Sequence, residues 1–178
     1  GIRFPSVAIP NGGTIVSAKV TFVASQTDTS TDVSCRIYAD DADNSGQITT
    51  YADYTGRTRT ANNTGWVLPS FTSGSSYDTP DLTEVLQEVV NRSGWTSGNA
   101  VNLLFDNTNS TASSERRVHS FEGTTAPKLV VTYMAQGAYV NKVFIGSRSL
   151  SRGENFTPFI NFTDDAGMNP SGITIEAK

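Results

Sequence analysis

The stretch TIVSAKVTFVA, residues 14–24, decides the fold that we expect. Side chains of opposite character alternate along it, with Val16, Ala18, Val20 and Phe22 on one face and Ile15, Ser17, Lys19 and Thr21 on the other. A spacing of two residues is that of a β-strand with one buried face. The stretch therefore predicts a half-buried strand whose core side carries the first of these two sets.

Outward from this strand, the same kind of pattern predicts seven further short strands, at residues 2–7, 33–39, 48–54, 66–69, 100–106, 117–121 and 128–133. We expect the strand at 33–39 to pair antiparallel with the one at 14–24. Many short strands joined by turns rich in Thr, Ser, Asn and Gly are typical of an all-β fold. We predict a jelly-roll-like antiparallel β-sandwich.

One helix is predicted, over residues 80–92. Its apolar residues recur at helical spacing and form a single stripe of Leu82, Val85, Leu86, Val89 and Val90. Asp81 or Thr79 is the expected cap at its start, Gly94 the expected stop, and Trp95 can fold back onto the last turn. A lone helix in an all-β chain predicts a cap over one end of the sandwich.

The predicted domain organisation is a β-sandwich module at residues 1–135 and a short β-rich tail at 136–178. Three short apolar runs, at 139–145, 155–162 and 173–177, make up the tail. It is either the start of a second β-domain or an arm that docks onto a neighbour. Because the chain opens directly on a strand and without Met, we expect it to be a piece of a longer polypeptide.

Charge and composition limit the classes of function that the chain can have. The chain has 178 residues, 13 Lys and Arg against 17 Asp and Glu, and a net charge of -4, which disfavours a nucleic-acid partner. Cys35 is the only cysteine, so an internal disulfide is excluded. No apolar run reaches the length of a membrane span, so no membrane insertion is expected.

Several segments together resemble a known family. They are GIRFPSVAIPNGGTIVSAKVTFVA, GRTRT followed by Trp66, YDTPDLTEVLQEVVNRSGWTSGN and RRVHSFEGTTAPKLVVTY. Over residues 1–133 the chain resembles the DNRLRE-type bacterial β-sandwich module, a jelly roll related to carbohydrate-binding modules. The resemblance implies a non-enzymatic accessory module of secreted, surface or phage structural proteins, without catalytic residues.

Catalytic chemistry has few candidates in this sequence. A Ser/His/Asp hydrolase needs a base, and the only histidine is His119, for which a position on a strand surface is expected. A glycosidase needs two carboxylates, and the candidates lie in or beside loops: Asp40, Asp41, Asp43, Glu115 and Glu122. No apolar pocket is evident around them to raise a pKa, so we predict no catalytic residues.

Two binding sites are candidates. Residues 41–46, DADNSG, match the front half of a calcium loop, and the candidate ligands are Asp41, Asp43, Ser45 and Asp53. Position 12 of that loop is Ala52, where a calcium loop has Glu, so a solvated acidic turn is the alternative. No other cofactor is expected. An aromatic platform for glycans is the second candidate, formed by Trp66, Phe71 and Tyr77, with core packing of these rings as its alternative.

Arginines are further candidates for a structural role. Arg59 and Arg116 or Arg117 could pin long loops by pairing with Glu122 or Asp81; exposed arginines are the alternative.

The first hypothesis for function is a non-catalytic structural or adhesive module of a larger extracellular, cell-surface or virion-surface assembly, with other subunits or domains as partners and glycans as candidate ligands. The second is a carbohydrate-binding accessory domain of a secreted enzyme. Glycosidase activity is a remote third.

Overall fold

The computed structural model describes residues 1–30, 32–120 and 125–134, and the backbone of residues 143–145 and 160–162. The chain divides into two compact units, Gly1–Gln136 and Gly137–Lys178. None of the helices in the described part has the length and apolar run that crossing a bilayer requires.

The first unit is built mainly from antiparallel strands. Its described elements, in chain order, are β1 (Ile2–Phe4), β2 (Thr14–Val23), β3 (Val33–Ala39), α1 (Tyr51–Gly56), β4 (Thr64–Leu68), β5 (Ser76–Asp78), α2 (Thr83–Val90), β6 (Val101–Asn107) and β7 (Lys128–Met134). The all-β class predicted from the alternating patterns is confirmed.

These strands form two sheets, in the orders β1-β6-β3-β4 and β5-β2-β7. The expected pairing of β2 with β3 is wrong, because the two strands belong to different sheets. Residues 24–32 separate them, and this connection exceeds the roughly two to five residues of a hairpin loop. The chain therefore leaves one sheet after β2 and enters the other at β3.

A β-bulge in β2 changes which side chains face the core. The register with β7 shifts between Ile15 and Ser17, so that one extra residue is accommodated there. Ile15 is consequently buried with Ala18, Val20 and Phe22, whereas Val16 is 55% exposed. The sequence predicted the opposite faces for Ile15 and Val16, and the bulge corrects that prediction.

Side chains from both sheets and from α2 belong to one hydrophobic core. All five residues of the predicted helical stripe are buried: Leu82, Val85, Leu86, Val89 and Val90. Trp95 is 1% exposed, and its indole Nε1–H donates to the carbonyl of Ile9 at 2.8 Å. This tryptophan thus joins the segment after α2 to the segment before β2.

The helix is shorter than the predicted 80–92. Leu82 N–H donates to Ala18 O at 2.8 Å, and Thr79 accepts from Val20 N–H with its side chain, so the chain before α2 runs along β2. Asp81 Oδ1 accepts from Thr83 N–H at 3.1 Å, which supports the helix start from just outside it. Asn91 is the C-cap, so Gly94 lies beyond the helix end.

Three predicted strands differ from the structure. Residues 48–54 were expected to be extended, but α1 occupies Tyr51–Gly56, because Thr50 caps it by accepting from Asp53 N–H at 3.0 Å. The opening strand ends at Phe4, since Pro5 has no N–H to donate. Within 117–121, the described residues contribute only an isolated bridge between Val118 and Ala24.

In the second unit, β8 (Val143–Ile145) and β9 (Ile160–Phe162) form an antiparallel pair, with Phe144 opposite Asn161. Both strands lie inside apolar runs that the sequence identified. The third run, 173–177, lies outside the described residues.

Candidate functional site

The three predicted platform aromatics belong to two separate pairs of stacked rings. Trp66 on β4 is 8% exposed and stacks on Phe22 of the other sheet, with ring centroids 6.0 Å apart. Phe71 is 1% exposed and stacks on the half-buried Tyr77 at 4.1 Å. A sugar that stacks on a ring needs an open ring face, which Phe71 does not present. Glycan contact by these residues stays a prediction.

Trp66 and Phe71 nevertheless line one cavity of about 620 Å³. Its apolar wall includes Phe22 from the second sheet and Cys35 and Phe105 from the first. Phe22 and Phe105 meet edge to face with their centroids 6.0 Å apart. The cavity therefore lies where side chains of both sheets meet.

A polar loop forms the rim of this cavity. Ser110 and Ser34 exchange hydrogen bonds, from Ser34 N–H to Ser110 Oγ and from that hydroxyl to Ser34 O, each at 2.9 Å. Thr111 N–H donates to Asp32 O at 3.0 Å. Asp32 and Ser113 have left-handed backbones, with φ of 58° and 67°, a conformation that costs energy for residues with a Cβ.

The acidic turn after β3 is neutralised by an arginine. Arg92, just after α2, donates to Asp43 at 2.7 Å and also to Asp41. Two candidate calcium ligands thus share one guanidinium, while Ser45 and Asp53 belong to a neighbouring network. The described residues contain no group of three or more His, Cys, Asp or Glu able to hold a metal ion. Calcium binding stays a prediction, and a cation at this turn would compete with Arg92.

Arg57 is the centre of the neighbouring network. Its guanidinium donates to Asp40 at 2.6 Å and to Asp53 at 2.9 Å. Asp40 is only 5% exposed and also accepts from the buried Ser45 hydroxyl. Asn102 on β6 is fully buried and donates to Ser45 Oγ at 2.8 Å. The turn after β3 and strand β6 are thereby connected to α1 through polar contacts.

The arginines predicted to pin loops do so, but with other partners. Arg59 binds Asp106 through two bonds of 3.1 Å each, and Arg117 binds the buried Asp28. Arg116 donates to backbone carbonyls, including Ser30 O at 2.7 Å. Of the predicted partners, Glu122 lies outside the described residues, and Asp81 accepts instead from Thr83.

These ion pairs shift the titration of the groups in them. The Arg59 guanidinium holds the pKa of Asp106 below its usual value of 3.8, and Arg117 does the same to the pKa of Asp28. Burial raises the pKa of Tyr54 to about 12, and its hydrogen bond to Asp106 acts in the same direction. The carboxylates are thus kept ionised, and the phenol is kept protonated.

A pH dependence of stability follows from the lowered pKa of Asp106. The ionised form is favoured in the folded state, so its contribution is complete above about pH 5 and is lost as pH falls through the lowered folded-state pKa. We expect Asp106→Asn to lower the melting temperature at pH 7 and to make its decrease on acidification smaller than in the wild type. Thermal melts at pH 7 and at a series of acidic pH values measure both effects. Glu84→Gln, at an exposed position on α2, is the control; parallel curves for the wild type and Asp106→Asn would contradict the prediction.

Gly94 is required by the acidic turn. A Cβ at this position would collide with the Asp43 carboxylate, which Arg92 holds in place. We expect Gly94→Ala to lower the free energy of unfolding by about 1–2 kcal/mol. Urea unfolding measures this, and Gly56→Ala is the matched control because no heavy atom lies within 4 Å of its Cβ position. Equal stability of the two variants would contradict it.

Within the part of the chain that the structure describes, neither the His119 imidazole nor the Cys35 thiol hydrogen-bonds to a side chain that could activate it. His119 is half-buried, its backbone N–H donates to Val23 O at 3.0 Å, and no described side chain hydrogen-bonds to its imidazole. Burial raises the pKa of the Cys35 thiol to about 11. The thiol is therefore uncharged at neutral pH, and a reactive nucleophile would need the opposite shift.

Comparison with known proteins finds no family model and no curated protein that matches this chain.

Proposed function

We propose that the chain is a non-catalytic structural or adhesive β-sandwich module of a larger extracellular or virion-surface assembly. The observation that carries the proposal is the set of arginine–aspartate pairs that hold its connecting segments in place, namely Arg57–Asp40, Arg59–Asp106, Arg92–Asp43 and Arg117–Asp28. Loops held in this way suit the display of a fixed surface.

The sandwich itself is supported by the topology. The two sheets contribute to one core, and the chain passes between sheets from β2 to β3, from β4 to β5 and from β6 to β7. Repeated crossing of this kind is typical of Greek-key sandwiches, of which the jelly roll is one. Contact of α2 with β2 and β3 supports its role as a cap across the two sheets.

Pairing with arginine gives three of the described carboxylates a state that favours a structural role over that of a catalytic acid. A general acid for glycoside cleavage needs a raised pKa. Bound arginines instead lower the pKa of Asp28, Asp53 and Asp106. Carboxylates in this state hold loops in place and are poor proton donors at neutral pH.

A partner surface is supported by apolar side chains on the outer face of the second sheet. Val16, Val130 and Met134 are 55%, 47% and 58% exposed. Exposed apolar side chains on one face favour contact with another protein surface. We assign this face to a neighbouring subunit or domain of the same assembly.

Site-specific photo-crosslinking tests this assignment. A benzophenone amino acid replaces Val130 in the full-length polypeptide within its native assembly, and Glu84 on α2 is the control position. We expect a crosslink to another subunit or domain of the assembly from position 130 and none from 84. The same yield at both positions, or none at 130, would contradict the assignment.

The alternative is a carbohydrate-binding accessory domain of a secreted enzyme, which the Trp66 ring in the wall of the cavity favours. A glycan array with the chain separates the two functions. Saturable binding, together with a hydrolase domain flanking the chain, would favour the accessory domain. If the chain binds no glycan on the array and coat or tail segments flank it, the structural module is favoured.

A further inference from the structure

We infer that the cavity lined by Phe22, Cys35, Trp66 and Phe105 is a binding site for a small, uncharged molecule with a mainly hydrocarbon body. The inference is independent of the structural role proposed above, since a display module does not need such a site. The volume of the cavity, about 620 Å³, lies within the usual range for small-molecule pockets.

The wall of the cavity selects for a hydrocarbon body. Four aromatic rings, those of Phe22, Trp66, Phe71 and Phe105, form this wall together with the Cys35 thiol. Burial keeps that thiol protonated, with its pKa raised to about 11. Aromatic side chains give a large apolar contact area with defined ring geometry. An apolar molecule that enters would remove hydrocarbon surface from water on both sides of the contact.

The charged residues at the rim already have partners. Arg116 donates to the carbonyls of Pro69 at 2.5 Å and Ser30 at 2.7 Å, and its guanidinium lies 5.7 Å from the centre of the Phe71 ring. Glu115 lies 3.4 Å from Arg117. A charged ligand would lose its hydration without gaining an unpaired counter-charge, so an uncharged ligand is favoured.

The entrance supplies neutral polar groups. Hydroxyl oxygens of Ser34, Ser110 and Thr111 lie on the rim and can accept a hydrogen bond from a hydroxyl end of the ligand. The left-handed backbones of Asp32 and Ser113 belong to the two segments that meet at this rim. Strain of this kind concentrates at ligand-binding loops.

Two fluorescent probes with the same carbon skeleton test the inference on the full chain. Phenylnaphthylamine is uncharged, and anilinonaphthalene sulfonate carries a sulfonate. We expect saturable fluorescence enhancement with the uncharged probe and at least about tenfold weaker binding of the sulfonate. No saturable binding of the uncharged probe, or equal affinity for both, would overturn the inference.

A substitution inside the cavity locates the bound probe. We expect Cys35→Trp to weaken binding of phenylnaphthylamine at least about tenfold, because the new ring occupies the cavity. Val67→Trp is the matched control, since Val67 lies on the neighbouring strand β4 and is 80% exposed. Unchanged affinity in a folded Cys35→Trp variant would place the probe elsewhere and overturn the inference.

The wild-type thiol gives a second measurement that needs no variant. Because Cys35 is the only cysteine, the mass gained with methyl methanethiosulfonate, which reacts with thiols and leaves amines unmodified, at about pH 8 reports this one site. We expect saturating phenylnaphthylamine to slow the labelling about tenfold or more, and the sulfonated probe at the same concentration to slow it clearly less. Labelling that is as fast with the uncharged probe as without it would overturn the inference even if Cys35→Trp fails to fold.

Discussion

Replacement of Trp95 by alanine is expected to cost about 3–5 kcal/mol of the free energy of unfolding, the usual range for removing a large buried ring. Trp95 is 1% exposed and packs in the core, and its Nε1–H satisfies the carbonyl of Ile9. The substitution removes the packing and leaves that carbonyl without its donor. Urea unfolding followed by circular dichroism measures the loss at pH 7.

The variant Trp95→Phe separates the contribution of packing to the free energy of unfolding from that of the hydrogen bond. Phenylalanine keeps most of the ring but has no N–H, so we expect a smaller loss of about 1–2 kcal/mol. A loss below about 1 kcal/mol for Trp95→Ala would show that the segment after α2 is not part of the cooperative core.

The buried face of α2 could be predicted from the sequence because helical spacing alone defines it. Leu82, Val85 and Val89 recur at intervals that bring them onto one side of a helix, and all are buried. The start of α2 could not be predicted in the same way. It is set by the hydrogen bond from Leu82 N–H to Ala18 O, a contact between segments far apart in the chain.

The faces of β2 show a limit of period-two patterns. Alternation assigns Ile15 and Val16 to faces only if no residue is inserted, and both are apolar, so the pattern permits either assignment. The bulge opposite Tyr133 and Thr132 reverses the alternation at this end of the strand. The position of a bulge depends on the partner strand, which the pattern in β2 alone does not specify.

The candidate site was predictable only in part. Trp66 and Phe71 were identified as ring candidates, and both line the cavity, but Phe22 was assigned to the core face of its strand and Cys35 was given no part in a site. Nothing in the local sequence indicates that facing side chains of two sheets leave space between them. The arginine partners were missed for a related reason, since Arg59 and Asp106 are 47 residues apart.

Loss of the Arg57 guanidinium is expected to cost about 3 kcal/mol, because it leaves a buried carboxylate without its counter-charge. Asp40 is 5% exposed, and Arg57 donates to it at 2.6 Å while also holding Asp53 on α1. In Arg57→Met, Asp40 keeps the Ser45 hydroxyl but no cation. Urea unfolding at pH 7 measures the loss, and Arg36→Met, at an exposed position on β3, is expected to change stability by less than about 0.5 kcal/mol.

The double variant Arg57→Met with Asp40→Asn tests whether the unpaired charge causes that loss. Asparagine keeps the shape of the side chain but carries no charge, so the cost of burying an uncompensated carboxylate disappears. We therefore expect the double variant to be more stable than Arg57→Met alone, with a coupling energy of about 1 kcal/mol or more. Additive losses would mean that Arg57 acts through its packing and through Asp53, and that the Asp40 charge is tolerated without it.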